Sequence, residues 1–161
     1  MIAIIMGSDS DLPVVKKLTA VLKDFDAIYE VHIISAHRTP YELERYVTQA
    51  EQKGIKVFIG VAGKSAHLPG VIAAYTTCPV IGLPVLTTDL GGMDSLLSIV
   101  QMPPGVPVAT VGINGAENAG LLALQILALS SAFHAKKLKE HRQNMKKKIE
   151  MKNASLKELL D

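Results

Sequence analysis

The sequence predicts a three-layer α/β/α fold: a doubly wound, parallel, five-stranded sheet with a helical tail at the C-terminus. Three observations carry this. Five short apolar runs rich in Val, Ile and Leu alternate with stretches whose apolar residues recur at helical spacing. Aromatic residues are scarce, with three Phe, four Tyr and no Trp. The core is therefore aliphatic, which suits strands buried on both faces. Each run also leads into Gly, Ser, Asp, His or Arg, the types that build turns and sites.

The elements follow in order. Ile2 to Met6 reads as the first strand. Leu12 to Phe25 reads as a helix, with Val14, Val15, Leu18, Val21 and Leu22 on one face. Tyr29 to Ile34 is the second strand. Pro40 to Lys53 is the second helix, carrying Leu43, Tyr46, Val47 and Ala50 at helical spacing and ending at Gly54. Lys56 to Val61 is the third strand and Leu68 to Tyr75 the third helix. Pro79 to Leu83 is the fourth strand, after which Pro84 fixes a rigid loop. A short helix spans Met93 to Val100, and Val106 to Val111 is the fifth strand. From Ala116 one long helix is expected to run into the tail. Strands alternating with helices imply a parallel sheet covered on both faces, a flavodoxin-like arrangement. Ligands in such folds bind beyond the carboxyl ends of the strands.

At 161 residues, 48% hydrophobic and 20% charged, the chain suits one globular domain. Residues 1–134 form that α/β domain and carry 8 Lys/Arg against 11 Asp/Glu; residues 135–161 carry 9 against 4. The basic character thus belongs to the tail, a helix expected to pack on its own or a neighbouring subunit. Its Lys/Arg run lacks the aromatic residues that stack on bases, so it reads as a solvated face and no nucleic-acid partner is expected. The N-terminus has no basic n-region, and the run from Leu121 to Phe133 is too short to span a bilayer, so no membrane role is expected. The single cysteine, Cys78, permits no internal disulfide and reads as a buried structural thiol. A cytoplasmic location is expected.

The loops after the strands hold the candidate chemistry. In Gly7-Ser8-Asp9-Ser10-Asp11, Ser8 and Ser10 offer hydroxyls, Asp11 or Ser10 caps the first helix, and the helix start attracts an anion. In Ser35-Ala36-His37-Arg38-Thr39-Pro40, Arg38 can fork onto a phosphate or carboxylate and His37 can exchange a proton near neutral pH. Thr39 can cap the helix that Pro40 opens. In Gly63-Lys64-Ser65-Ala66-His67-Leu68, glycine allows backbone N–H groups close to a small anion, and His67 either contacts ligand or finishes the turn. Gly63-Lys64-Ser65 mimics the end of a P-loop, but the glycine required five residues earlier is Phe58. The segment from Leu86 through Asp94 and Ser95 to Met102 reads first as helix packing, with the wall of a flat-ring pocket as the alternative. Asn114 or Gly115 starts the last helix. The five histidines (His32, His37, His67, His134, His141) are scattered, so no metal site is expected. No Ser sits in a nucleophile elbow. His37 is left as the best acid/base candidate.

Taken together, Met6-Gly-Ser-Asp-Ser-Asp11, Ser35-Ala-His-Arg-Thr-Pro40, Ala66-His-Leu-Pro-Gly70, Asp94-Ser-Leu-Leu-Ser-Ile-Val-Gln-Met-Pro103 and Gly105-Val-Pro-Val-Ala-Thr-Val-Gly-Ile-Asn114 closely resemble the PurE family. The likeness runs in register from residue 1 to about 130. It implies a cofactor-independent mutase of purine biosynthesis, converting N5-carboxyaminoimidazole ribonucleotide to 4-carboxyaminoimidazole ribonucleotide. It implies His37 as catalytic acid/base and phosphoribosyl contacts from Ser8, Ser10, Asp11, Ser35 and Arg38. It further implies that Ala66, His67 and Leu68 close over base and carboxylate, beside Gly63, Lys64 and Ser65. The family is usually octameric, with the C-terminal segment reaching a neighbour. In the bacterial mutase type Gly-Ala usually stands where Lys64-Ser65 stands here; a basic residue and Ser occur there in the animal branch, which carboxylates aminoimidazole ribonucleotide directly. The retained Ala66-His67-Leu68-Pro69-Gly70 favours the mutase. The alternatives are the direct carboxylase and a nucleotide-binding regulatory module.

Overall fold

The computed structural model describes residues 1–160. Five strands, β1 (Ile2–Met6), β2 (Tyr29–Ile33), β3 (Val57–Ala62), β4 (Val80–Pro84) and β5 (Ala109–Thr110), form one sheet in the order β2-β1-β3-β4-β5, every pairing parallel. Helices α1 (Leu12–Asp24), α2 (Pro40–Ala50), α3 (Leu68–Tyr75), α4 (Met93–Val100), α5 (Ala116–Ala128) and α6 (Ala132–Leu160) cover it. The expected three-layer fold is the one observed.

The inner strands β1, β3 and β4 are buried at every position, as their unbroken apolar runs require. Their alternate side chains feed two cores. One packs Ile2, Ile4, Val57 and Ile59 against Leu18 and Leu22 of α1 and Ala119 and Leu124 of α5. The other packs Ala3, Ile5 and Phe58 against Leu43 and Val47 of α2, Ile72 of α3 and Ile99 of α4. Each such buried aliphatic side chain contributes about 1.5–3 kcal/mol. Gly60 and Gly82 are neighbours across β3 and β4. A Cβ on Gly60 would lie 3.0 Å from Pro69, and one on Gly82 would lie 2.2 Å from Ile99. These two glycines let α3 and α4 lie close on the sheet.

Several expectations are corrected. The fifth strand is two residues long, not six, because Pro103, Pro104 and Pro107 withhold N–H donors and Gly105 turns the chain at φ 97°. Pro84 closes β4 rather than following it, paired with Ala62 and accepting a hydrogen bond from Asn114 N at 2.8 Å. The second helix stops at Ala50, three residues early, and a turn carries the chain to Gly54 at φ 88°. The long C-terminal helix is two helices, broken at Leu129–Ser131. There Ser131 Oγ accepts from His134 N at 3.4 Å and starts a new helix, the local competition that serine offers to a helix backbone.

The tail helix is anchored only at its start. Lys137 reaches the carboxylate of Asp26, Leu138 packs on the first core, and His141 stacks against Phe25 with ring centroids 5.4 Å apart. Beyond His141 the described side chains are exposed.

Candidate active site

Loops at the carboxyl ends of β1, β2, β3 and β4 enclose a cavity of about 560 Å³, a size suited to a small molecule. Its walls include Ser8, Ser10, Asp11, Ser35, His37, Arg38, Gly63, Lys64, Ser65, His67 and Leu68. Of the candidate residues only Ala66 is absent from the lining; it is 1% exposed and packs into the second core. Val85, Leu86, Thr87 and Thr88 complete the wall. The segment read first as helix packing therefore divides: its start faces the cavity, and α4 packs behind it.

The first loop holds a short 3-10 turn, Asp9–Asp11, just before α1. Ser8, not Ser10 or Asp11, caps it: Ser8 Oγ accepts from Ser10 N at 3.3 Å and the Asp11 carboxylate accepts from Ser8 N at 3.2 Å. At the start of α1 itself, Asp11 makes no side-chain cap. Burial pushes the Asp11 carboxyl above its ordinary range, against the opposing pull of the Ser8 and Gly7 N–H groups.

The second loop is tied to itself and to the first. Thr39 donates to Ser35 O and accepts from Ser35 N at 3.0 Å, so it braces the turn instead of capping α2. Arg38 Nε donates to Ser35 Oγ at 3.3 Å and Nη2 donates to Gly7 O at 2.9 Å. The guanidinium is thereby held beside the first loop, with the rest of its fork left for an anion in the cavity. His37 precedes it.

The third loop brings the second histidine. His37 Nε2 lies 2.9 Å from His67 Nδ1, the rings edge to face at 80°. One nitrogen donates and the other accepts, so the tautomer of either ring fixes that of the other. His67 is thus not merely the end of a turn. Lys64 adopts φ 57°, a left-handed conformation uncommon for a side chain with a Cβ. Its ammonium contacts Asp89 at 2.9 Å, and that carboxylate holds the Lys64 pKa above its ordinary value. Both groups are well exposed, and such pairs are strongly screened.

On the β4 side, Asn114 Oδ1 accepts from Leu86 N at 3.0 Å, and Thr87 donates to Asp94 at 2.7 Å. Asn114 (φ 55°) holds this wall; α5 starts at Gly115, without a side-chain cap. Cys78 lies away from the cavity, half-buried, its thiol pushed up by burial. Among the described residues no three His, Cys, Asp or Glu side chains gather as a metal site would need. Among the described residues, no helix is long and apolar enough to cross a membrane.

The cavity thus joins a basic-and-hydroxyl half, which can hold an anion, to a histidine pair, which can exchange a proton. The family model described as AIR carboxylase matches residues 1–148, and the chain belongs to this family, the PurE family of the sequence resemblance. An N5-carboxyaminoimidazole ribonucleotide mutase of Pyrococcus abyssi is 59% identical over 146 residues, covering 91% of this chain and 84% of the relative. A phosphoribosylaminoimidazole carboxylase of Saccharomyces cerevisiae is 54% identical over 140 residues, covering 87% of this chain and 24% of that much longer protein. The crystal structure of Treponema denticola PurE superposes with a TM-score of 0.90 at 29% identity, covering 96% of this chain and 97% of that one.

Proposed function

We propose that this chain is an N5-carboxyaminoimidazole ribonucleotide mutase, an isomerase of purine biosynthesis that forms 4-carboxyaminoimidazole ribonucleotide with no cofactor. The observation that carries the reading is the His37–His67 contact of 2.9 Å inside the cavity. Arg38 and the hydroxyls of Ser8, Ser10 and Ser35 take the ribose phosphate. Asp11 holds the first loop to them through Ser8 N. Gly63, Lys64, Ser65, His67 and Leu68 line the base and carboxylate end, with Ala66 buried beneath.

The reaction needs two proton transfers and a held intermediate. His37 protonates the carbamate nitrogen, the N–C bond breaks with its electron pair staying on nitrogen, and carbon dioxide is released beside the ring. The ring carbon C4 attacks it, a C–C bond forms, and the C4 proton returns to the histidine pair. His67 supplies or takes the proton at its shared nitrogen, so one pair serves as acid and then as base. Confinement beside C4 replaces a bimolecular encounter. The direct carboxylase is not favoured: the mutase relative is matched along most of its length, and the carboxylase relative over a quarter. The nucleotide-module alternative lacks support, since Phe58 is a fully buried strand residue where a P-loop needs glycine. Conversion of N5-carboxyaminoimidazole ribonucleotide without ATP tests the assignment; an inactive wild-type protein would refute it.

We also propose a cytoplasmic homo-oligomer, an octamer by likeness to the family. It comprises the α/β catalytic domain, residues 1–134, and the basic tail packed on its own domain and a neighbour. Its partner is a small ribonucleotide. Two unpartnered apolar faces support this: Met93, Leu97 and Val100 on α4, and Met145, Ile149 and Leu156 on α6. Sedimentation at micromolar concentration would return a monomer if the proposal is wrong.

A further inference from the structure

Among the described residues, the polar or charged side chains that are buried are Asp11 and Ser95. Asp11 belongs to the first loop. Ser95, in the first turn of α4, is 0% exposed and does not line the cavity, so it touches no substrate. Yet its hydroxyl bonds to both loops that wall the base and carboxylate end. It donates to Val85 O at 2.8 Å, at the end of β4, and accepts from Lys64 N at 3.0 Å, after β3. One buried oxygen therefore ties these two walls just beyond the last sheet bond, Val85 N to Ala62 O at 3.0 Å. The same N–H bond holds Lys64 in its left-handed conformation. From there the chain turns tightly to the histidine, with Ala66 N donating to Lys64 O and His67 N to Ser65 O, both at 2.8 Å. A second tie from the same helix turn, Thr87 to Asp94, braces the β4 wall.

We propose that Ser95 is a positioning residue that fixes the width of the carboxylate end, so that carbon dioxide released from the carbamate is recaptured at C4 before it escapes. This rests on the mutase reading above. Loosened walls let the intermediate leave, and the turnover then ends as aminoimidazole ribonucleotide plus carbon dioxide: the N–C bond is broken, the nitrogen has gained its proton, and no C–C bond forms. The phosphate side is bonded separately, so ground-state binding should persist.

The test is the product ratio of Ser95→Ala given N5-carboxyaminoimidazole ribonucleotide, corrected for decarboxylation without enzyme. The expected result is kcat down by about tenfold to 100-fold, KM within about threefold, and a larger share of aminoimidazole ribonucleotide among the products. Ser95→Cys, which fills the site but hydrogen-bonds weakly, should fall between the two and carries the test if the alanine variant does not fold. A folded variant whose product ratio matches wild type overturns the inference, whatever happens to its rate. Wild-type protein that fails to convert this substrate overturns the mutase reading itself, a distinct outcome.

Discussion

The two sides of the cavity are built by different means. On the phosphate side most bonds are local: Ser8 to Asp11 spans three residues, Ser35 to Thr39 four, and Arg38 to Ser35 three, while Arg38 to Gly7 joins the two loops across 31. On the carboxylate side they cross the chain: Lys64 to Ser95 spans 31 residues, His37 to His67 spans 30, and Leu86 to Asn114 spans 28. Local bonds form wherever the loop forms, and they make a rigid anion cradle. Long-range bonds exist only when the sheet has placed β3, β4 and α4 correctly. The side that does the bond making thus depends most on the packed core, and the side that holds the substrate depends on it least.

Substitutions should divide along this line. The largest effect is expected at His37. His37→Asn should lower kcat by about 10²–10⁴-fold with an unchanged melting temperature, because the ring is exposed and holds little of the fold. Arg38→Ala should act on the other side, raising KM about tenfold or more with little change in kcat, and Arg38→Lys should restore it poorly because the fork is lost. Steady-state kinetics of both variants would erase the comparison if each changed the same constant. Gly82→Ala tests the dependence of the carboxylate side on packing. Its Cβ would meet Ile99 at 2.2 Å, so about 1–3 kcal/mol of stability should be lost in urea unfolding, with kcat falling more than KM rises.

The smallest effect is expected at Asp11, and it depends on pH. Burial raises its folded pKa above the unfolded value, so the native state binds the proton more tightly than the unfolded chain does. The favourable contribution is therefore full below the unfolded carboxylate value. It is lost as pH rises through the raised folded one. Asp11→Asn should flatten that slope in unfolding measured from pH 3 to pH 7 and should not reduce stability at neutral pH. A variant less stable at pH 7 would show that the carboxylate's bond to Ser8 N outweighs its burial.

The same division explains what could be read from the sequence. Apolar periodicity located all five strands, and the motifs after them supplied most of the cavity residues; the wall from Leu86 to Thr88 was legible only as the alternative to helix packing, because side chains in a strand-end loop are aimed by the strand itself. Proline content in the fifth strand and the Ser130-Ser131 pair were local signals for the shortened strand and the broken helix, and apolar periodicity masked both. Asp11 and Thr39 stand at the N-caps of α1 and α2 as expected, but their side chains bond across the preceding turns, to Ser8 and Ser35, instead of capping the helices. The His37–His67 pair and the Ser95 bridge carry no local signal. They arise from the parallel register of β1, β2, β3 and β4 and from the closeness that Gly60 and Gly82 give α3 and α4.

The central claim is that two histidines move a carboxylate within one site. A paired assay without ATP tests it most directly, with N5-carboxyaminoimidazole ribonucleotide in one vessel and aminoimidazole ribonucleotide plus bicarbonate in the other. The account predicts fast formation of 4-carboxyaminoimidazole ribonucleotide in the first vessel only. Efficient conversion only in the second would contradict it and make the protein a direct carboxylase, with Lys64 as the first residue to examine.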